Sequence, residues 1–361
     1  MKLSCLQENL AQGLNTVKRA VAHRSTLPVL SNVLLATDNG RLRLAATNLE
    51  IGINCWIEAQ VEEEGAMTVP AVAFADLVNM LPPEQIDLEL VEQTETLKLQ
   101  CQKTKSSFKG ISATEFPNIP IAGNDIVTID ADLFREMVGQ VSIAAAKDES
   151  RPILTGILMR FEQDKLTMAA ADGFRLSARS VKLEGNSEGG SLVVPHVALE
   201  EAAKLKVMGM DLRNNQVIFQ SDNSNLVSQL IEGNFPDYEQ IIPKEFKTRI
   251  TLDTQVFLLA CKKAEVFAKE AANLITLEII PEGNIIISAQ SAELGDSQDI
   301  IEATVMGEPI IINLNVKYLM EALQVIPTGN SILGMNGLVE PILLQPDDPE
   351  IDLQIVIMPM H

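Results

Sequence analysis

One pattern occurs three times along the chain, and such a repeat limits the possible folds more than any other feature. A strand that runs into a polar turn recurs around Asn48, Asp172 and Ser291, at spacings of 124 and 119 residues. A period near 120 residues gives each copy enough length for a hydrophobic core of its own, unlike the short repeats of solenoids. We therefore expect three similar domains.

A second element recurs with the same period: an extended apolar segment that runs into an amphipathic helix. Its copies centre on Pro70, Pro195 and Asn313, at spacings of 125 and 118 residues. Two matching segments, EFPNIP and NFPDYEQIIP, close the first and second copies. The predicted domains are therefore 1–122 (N-terminal), 125–244 (central) and 246–361 (C-terminal).

Apolar spacing at i, i+3 and i+4 predicts two helices in each copy. The predicted helices are 7–24, 71–81, 131–147, 196–206, 254–269 and 315–325. Alternating apolar residues, as in Thr96–Cys101 and Asn284–Ile287, predict strands. Because the strands cluster between helices instead of alternating with them one for one, we expect an α+β fold with antiparallel sheets and helices on one face.

The charge of the chain weighs against a nucleic-acid partner. There are 28 Lys and Arg against 49 Asp and Glu, a formal net charge of −21. A protein that gripped DNA over its whole surface would be basic, because neutralising phosphates supplies most of the non-specific affinity. The six predicted helices together carry +3, which leaves −24 for the rest of the chain. Any DNA contact should therefore lie on the helices.

No pattern of an enzyme stands out. The sequence has no phosphate-binding loop, no dinucleotide-binding GxGxxG after a strand and no GxSxG nucleophile turn. Four scattered cysteines and three histidines provide no metal-ligand spacing, so the cysteines are expected to be buried apolar residues. The acidic runs Glu62–Glu64 and 347–352 are interpreted as solvated surface loops, and Asp172 as a turn former. We expect no catalysis, no cofactor and no metal.

The N-terminus MKLSCLQENL lacks the apolar core of a signal peptide, and no stretch reaches the roughly 18 apolar residues of a membrane span. A cytoplasmic protein without a membrane partner is expected. Aromatic residues make up only 4% of the chain, which disfavours a stacking platform for single-stranded nucleic acid.

Several short motifs, in this order, carry a resemblance to a known family. They are HRSTLPVLSNVLL, TNLE, RPILTGILM, AADGFRLS, NFPDY and the terminal IVIMPM. Over essentially its whole length the chain resembles the β subunit of bacterial DNA polymerase III, the sliding clamp. The resemblance implies three tandem clamp domains per chain and two chains that close head to tail into a ring around duplex DNA. It also implies a processivity factor in DNA replication, which tethers the polymerase of the DNA polymerase III holoenzyme and performs no reaction.

The resemblance and the helix charges suggest where DNA would be contacted without regard to its sequence. Arg24 matches a DNA-contacting arginine of the family, and Asn315 and Tyr318 match a polar and an aromatic position that face DNA. Helix charge alone suggests Lys18, Arg19, Lys147, Arg151, Lys262 and Lys263. The alternative for these six is an ordinary solvated helix face. His196–Val197 and Asp148 stand where the family often has lysine and glutamine, so DNA contact is not expected there.

A second implied site is a groove between the central and C-terminal domains. In the family it takes short linear peptides from replicative and repair polymerases and from the clamp loader. Its walls correspond to Leu154, Ala171, Gly173, Phe174, Arg175, Leu176, Pro243, Pro341, Val356, Met358, Pro359 and Met360. Independently of the resemblance, flexible thioethers at the end of a chain suit a groove that accepts several partners. The alternative is that the last strand only completes a core. His361 stands where family members commonly have arginine.

The first and third domains carry oppositely charged edges, as a head-to-tail homodimer requires. Lys98, Lys103 and Lys105 lie near one edge of the first domain, and the third domain provides Glu293, Asp296, Asp299 and Glu302. Phe108, Val266 and Phe267 fall where the family packs an apolar centre.

Two other functions stay open at this point. A three-domain scaffold could bind peptides without encircling DNA. A metal-dependent nuclease would need the acidic clusters to converge around a metal ion.

Overall fold

A computed structural model describes residues 1–22, 25–123, 126–183, 189–213, 215–281 and 283–360. Each predicted helix is present, two in each repeat. The helices are α1 (Gln7–Val17), α2 (Ala71–Met80), α3 (Ala131–Ser142), α4 (His196–Ala203), α5 (Thr254–Ala268) and α6 (Val316–Val325). α5 shows why they form: Asp253 caps its N-terminus by accepting a hydrogen bond from the backbone of Val256 at 2.8 Å. Its buried face follows the 3.6-residue period through Phe257, Cys261 and Ala264.

Three helices end three or more residues earlier than predicted. α1 stops at Val17 instead of continuing to residue 24, and a 3-10 turn, Lys18–Ala20, follows it. α3 stops at Ser142 instead of 147, and α4 at Ala203 instead of 206. After each of them the backbone bonds tighten to an i to i+3 pattern, as from Leu205 N–H to Ala202 C=O. Apolar spacing continues through such turns, so the sequence pattern alone overestimates helix length.

The strands fall into three sets that follow the repeats. The first repeat contains β1 (Lys2–Leu6), β2 (Asn32–Asp38), β3 (Arg41–Thr47), β4 (Ile51–Glu58), β5 (Gln60–Glu63), β6 (Ala66–Pro70), β7 (Gln85–Val91), β8 (Thr96–Cys101), β9 (Thr104–Lys109) and β10 (Ile111–Ser112). The second contains β11 (Val127–Thr128), β12 (Gly156–Glu162), β13 (Lys165–Ala171), β14 (Arg175–Lys182), β15 (Gly190–Pro195), β16 (Gly209–Leu212), β17 (Gln216–Gln220) and β18 (Ser224–Gln229). The third contains β19 (Thr248–Asp253), β20 (Leu274–Ile280), β21 (Asn284–Ser291), β22 (Gly295–Glu302), β23 (Thr304–Gly307), β24 (Ile310–Asn315), β25 (Asn330–Met335), β26 (Ile342–Pro346) and β27 (Leu353–Ile357).

The chain folds into two compact units, and the central repeat contributes to both. Unit 1 comprises 1–134 and 197–230, and unit 2 comprises 135–196 and 231–361. Unit 1 contains a five-stranded sheet, β5-β1-β7-β8-β9, and a nine-stranded sheet, β10-β6-β2-β3-β4-β18-β17-β16-β11. Unit 2 contains a nine-stranded sheet, β15-β12-β13-β14-β27-β26-β25-β19-β23, and a four-stranded sheet, β22-β21-β20-β24.

Two antiparallel seams join the repeats within these sheets. In unit 1, β4 of the first repeat pairs with β18 of the second, with Ile53 opposite Leu226. In unit 2, β14 of the second repeat pairs with β27 of the third, with Ser177 opposite Ile355. In each seam the first strand follows the recurring polar turn, so the same kind of joint is used twice.

The cores bury the apolar faces that the sequence pattern predicts. In unit 2, buried residues of α5 and α6, such as Phe257 and Leu319, pack with Leu277 and Ile287 of the four-stranded sheet. All four cysteines are buried and free, as predicted. The acidic run at Glu62–Glu64 is exposed, but Glu62 and Glu63 belong to β5, so the predicted loop is wrong there.

Candidate functional site

The predicted groove residues lie in unit 2, around one end of its nine-stranded sheet. The turn before β14 and the end of β27 are joined there, because Phe174 C=O accepts a hydrogen bond from Met358 N–H at 2.8 Å. On the other side of β27, Ile357 pairs with Ile342, which Pro341 directly precedes. The turn, the chain end and the start of β26 therefore stand side by side.

Asp172 fixes the shape of the turn. Its Oδ1 accepts hydrogen bonds from the backbone N–H groups of Phe174 at 2.9 Å and Arg175 at 3.0 Å. Gly173 has a φ of +91°, a left-handed conformation that a side chain would strain. This confirms the prediction that Asp172 is a turn former. The turn leaves Phe174 62% exposed beside the chain end.

Arg175 holds the turn against α6. Its buried guanidinium donates to Asp172 Oδ2 at 3.0 Å and also to Glu321 Oε2. The same group lies over the ring of Tyr318, and burial, the largest of several effects there, raises the pKa of that phenol. Residues from the second and third repeats thus form one cluster of charges and hydrogen bonds at the groove.

The floor and the far wall of the groove are apolar. Leu176 and Val356 are buried and pack with Tyr238 and Leu343. The segment that links the second and third repeats covers this cluster with Phe235, Ile242 and Phe246, and Pro243 is half-buried in that segment. Leu154 is buried in a 3-10 turn before β12, while Ala171 is half-buried at the end of β13.

The chain end is ordered against the fold. Met358, Pro359 and Met360 are half-buried, and Met360 N–H donates to Asn313 C=O at 2.9 Å. β27 also completes the sheet, so the apolar end both packs against the protein and offers part of its surface. His361 lies outside the described residues.

The basic residues predicted to contact DNA differ in whether a carboxylate of the protein already pairs with them. Lys18 is paired with Asp76 at 3.0 Å, Arg19 with Glu201 at 3.5 Å, and Lys263 with Asp299 at 2.6 Å. Lys147, Arg151 and Lys262 are exposed and make no ion pair with another described residue. Asn315 caps α6 by accepting a hydrogen bond from Lys317 N–H at 3.0 Å. Arg24 lies outside the described residues.

The predicted dimer residues lie on or near two edge strands, one in each unit. In unit 1, β9 is the last strand of the five-stranded sheet, and it carries exposed Lys105 and half-buried Phe108, which packs edge-on against Phe74. Lys103 is exposed at the turn that leads into β9, and Lys98 lies on the adjacent β8, 3.9 Å from Glu89. The lysines are thus gathered at one edge.

In unit 2, β22 ends the four-stranded sheet. It contains Asp296, Asp299 and Glu302, and Glu293 stands in the turn before it. Val266 is exposed on α5, whereas Phe267 packs against the core. The sequence reasoning missed two exposed apolar residues on this side, Leu294 before β22 and Ile300 on it. An apolar residue at an outward position of an edge strand is the signal that would have found them.

Two further features bear on binding to other molecules. No helix of the described ranges is long and apolar enough to cross a membrane. Among the same residues, no group of three or more His, Cys, Asp or Glu side chains is arranged to hold a metal ion.

The groove also includes a residue that sequence reasoning missed. Glu321 lies on α6 one turn after Tyr318, and this position was the signal that could have found it.

Comparison with known proteins identifies the family. Models of the N-terminal, central and C-terminal domains of the DNA polymerase III beta subunit match residues 1–120, 128–237 and 239–361. The beta sliding clamp of Synechococcus elongatus is 33% identical, with 100% of this chain and 99% of that protein covered. The Bacillus subtilis beta sliding clamp is 28% identical, with 99% of each covered.

Solved structures agree. The Bacillus subtilis DNA polymerase sliding clamp matches with a TM-score of 0.95 at 27% identity, covering 100% of this chain and 99% of that one. A Pseudomonas aeruginosa sliding clamp bound to griselimycin matches with a TM-score of 0.94 at 27% identity, with the same coverage. The predicted three-domain α+β clamp fold is confirmed. The chain belongs to the family of DNA polymerase III beta subunits, the beta sliding clamps.

Proposed function

We propose that this chain is a DNA sliding clamp: two copies close into a ring around duplex DNA and tether the replicative polymerase. The clamp loader and repair polymerases would dock at the same groove. The function requires no catalysis, cofactor or metal, and we place it in the cytoplasm. We also propose that the boundaries between the three domains lie near 122–125 and 244–246.

The observation that carries the ring is the strand pairing at the seams. β4 and β14, the strands after the recurring turn, pair with β18 and β27, the last hairpin strands of the following repeat. β22 and β9 are the equivalent strands that close no such seam, because each ends its sheet. A third seam between β22 of one copy and β9 of another would complete the series. Two such seams close a ring of two chains.

The charges on these edges support the same pairing. Lys103 and Lys105 beside and on β9 make no ion pair among the described residues, nor do Asp296 and Glu302 on β22, whereas Asp299 is already paired with Lys263. The unpaired charges of the two edges attract each other and repel copies of themselves. Phe108 on one edge and Ile300 on the other add apolar surface. If β9 and β22 stayed unpaired, their free backbone groups could pair with other chains and cause aggregation, which proteins usually prevent by protecting edge strands.

Weak DNA contacts fit a ring. A net charge of −21 is unfavourable for direct binding, and three of the predicted basic residues are already paired with carboxylates. A closed ring is held on DNA by topology, so it needs few contacts with the phosphates. Fewer phosphate contacts also allow the ring to slide more freely along the DNA. We propose Arg24, Lys147, Arg151 and Lys262 as the main contacts.

The experiment that tests this function separates topology from affinity. The clamp is loaded onto nicked circular DNA by its loader, and half of the sample is then cut with a restriction enzyme. Gel filtration should find the clamp on the circles and not on the linear DNA. Equal retention on both forms would contradict the ring.

Two further measurements separate the alternatives. A scaffold that binds peptides without encircling DNA would be a stable monomer at micromolar concentration by light scattering, whereas the clamp should be a dimer. A metal-dependent nuclease would cut DNA in the presence of Mg²⁺, and Asp172→Asn would abolish the cleavage. We expect no cleavage by either protein.

A further inference from the structure

A second concavity lies on the groove's face of the nine-stranded sheet in unit 2. It has a volume of about 450 Å³ and reaches under the segment that links the second and third repeats. Pro243 and Leu343, which belong to the groove and to the apolar cluster beneath it, also line this cavity. The cavity therefore adjoins the groove. Its other lining residues are Arg160, Lys165, Thr167, Ala178, Ser180, Tyr238, Glu239, Ile242, Lys244, Phe246, Gln345, Asp352 and Gln354.

The strands of the sheet run from the groove into the cavity. Along β14, Leu176, Ala178 and Ser180 point to the same face, because strand residues two apart share a side. Leu176 belongs to the apolar floor of the groove, and Ala178 and Ser180 line the cavity. At about 3.3 Å per residue, Ser180 lies roughly 13 Å from Leu176. That is the length of about four residues of an extended peptide.

The chemistry of the floor changes over this distance. The groove end is apolar, whereas Thr167 and Ser180 at the far end join their hydroxyl groups at 3.0 Å. Gln345 and Gln354 add two amide side chains to the lining. A peptide anchored in the groove by apolar side chains would therefore meet polar groups four residues away.

Most of the charges around the cavity neutralise one another. Arg160 is paired with Glu239 at 2.7 Å and with Glu162 at 3.3 Å. Lys165 is paired with Asp352 at 3.6 Å. Lys244 is exposed and makes no ion pair with any residue in the described ranges, so its ammonium group is free for a ligand. The charged residues that line the cavity sum to +1, from Arg160, Lys165 and Lys244 against Glu239 and Asp352, on a chain whose net charge is −21.

We propose that this cavity is a second subsite of the groove, which receives an acidic side chain of the bound peptide about four residues from its apolar anchor. Lys244 pairs with the carboxylate, and the Gln345 and Gln354 amides hydrogen-bond the peptide. The inference rests on the proposed peptide groove and gives the groove a specificity that apolar contacts cannot supply. A carboxylate that bound there without a cation would lose its hydration, and no ion pair would compensate for the loss.

The test uses the full-length protein and a labelled peptide from the replicative polymerase. The peptide is extended by four residues on either its N-terminal or its C-terminal side, with the last added residue Glu or Gln. Fluorescence anisotropy gives the affinity of each form. For the extension that reaches the cavity, the Glu form should bind about two- to fivefold more tightly than the Gln form, the range of a partly exposed ion pair. For the extension on the other side of the peptide, the two forms should bind equally.

Two variants locate the effect. Lys244→Glu should remove or reverse the preference for Glu and leave the unextended peptide unaffected. Lys247→Glu is the matched control, because Lys247 is exposed on the same segment but does not line the cavity. It should keep the preference.

Each contrary result has a separate meaning. Equal affinity of the Glu and Gln forms on both sides would overturn the subsite while the groove still binds the unextended peptide. Loss of the preference in Lys247→Glu to the same degree as in Lys244→Glu would also overturn it, since general electrostatics would then explain it. Failure of the unextended peptide to bind the unaltered protein would refute the proposed groove and the subsite together.

Discussion

The guanidinium carbon of Arg175 lies 4.3 Å from the centre of the Tyr318 ring. The two residues come from different repeats, one from the turn at the groove and one from α6. Sequence reasoning assigned them to separate sites, one for peptides and one for DNA, yet they are direct neighbours. The stability of the groove should therefore depend on this contact.

Replacing Arg175 by Ala should lower the free energy of unfolding by about 2 kcal/mol or more. The change leaves the carboxylates of Asp172 and Glu321 without their cation, and breaking a buried ion pair is among the costliest single changes. Half-exposed Glu321 limits the loss, because water can solvate it. Urea unfolding measures the effect, with exposed Lys182→Ala on the same strand as control. A loss no larger than that of the control would show that the cluster contributes nothing.

Replacing Ile300 by Asp should convert the dimer to a monomer. Ile300 is 60% exposed on β22, the edge proposed to meet β9, and a carboxylate there would be desolvated among other carboxylates. Ile311→Asp is the matched control, since Ile311 is 52% exposed on β24 at the opposite edge of the same sheet. Light scattering across a dilution series compares them. Monomers from both variants, or dimers from both, would refute the assignment of the edge.

Removing residues 358–361 should abolish binding of a polymerase peptide and leave the dimer intact. The deletion takes away the Met358 N–H that bonds to Phe174 and the apolar side chains beside it, while β9 and β22 are untouched. Removal of residue 361 alone serves as control and should preserve binding. Anisotropy and light scattering on the same samples give both readouts. Unchanged peptide affinity in the longer deletion would contradict the groove.

Stability should depend on the ionisation of Asp211 in acid. Burial acts to raise the pKa of this carboxyl, but hydrogen bonds from Arg213 and the backbone of Gly123, with the Arg213 charge, outweigh it and lower the pKa. A lowered folded pKa contributes stability above the unfolded value, near 3.9, and loses it as pH falls through the folded pKa. Asp211→Asn should therefore be about 1 kcal/mol less stable at pH 7. This is less than the roughly 1.5–3 kcal/mol of a hydrogen bond to a charged group, because the Asn oxygen can still accept a hydrogen bond from Gly123 or Arg213.

The difference between the two proteins should shrink as the pH falls below about 4, because the wild-type carboxyl is protonated in the unfolded chain before it is protonated in the folded protein, which favours unfolding. Urea unfolding from pH 7 to pH 3 measures it. A constant difference over this range would show that the ionised state of Asp211 does not contribute.

The repeat and the helices could be predicted from the sequence because both rest on local spacing. Thr96–Cys101 was predicted as a strand from alternation and is β8. The pairing partners could not be predicted in this way, since alternation shows that a strand has a buried face but not which strand lies beside it. The pairing of β4 with β18 joins residues about 170 positions apart, which explains why the sharing of the central repeat between two units was not foreseen.

The same limit applies to the candidate sites. Helix charge singled out Lys18 and Lys263, but their carboxylate partners lie 58 and 36 residues away. Glu321 is 146 residues from Arg175. A sequence shows which charges exist, whereas their neutralisation depends on tertiary contacts between distant segments.

The seam between β14 and β27 also determines how the protein bears a load. Its backbone hydrogen bonds lie perpendicular to the strands, from Arg175 opposite Ile357 to Arg179 opposite Leu353. A pull on the Met358–Met360 end along the axis of β27 therefore strains all of these bonds at once instead of opening them one after another. A polymerase that drags on this end would meet resistance from the whole seam, so the attachment point is mechanically strong even if each contact with the polymerase is weak.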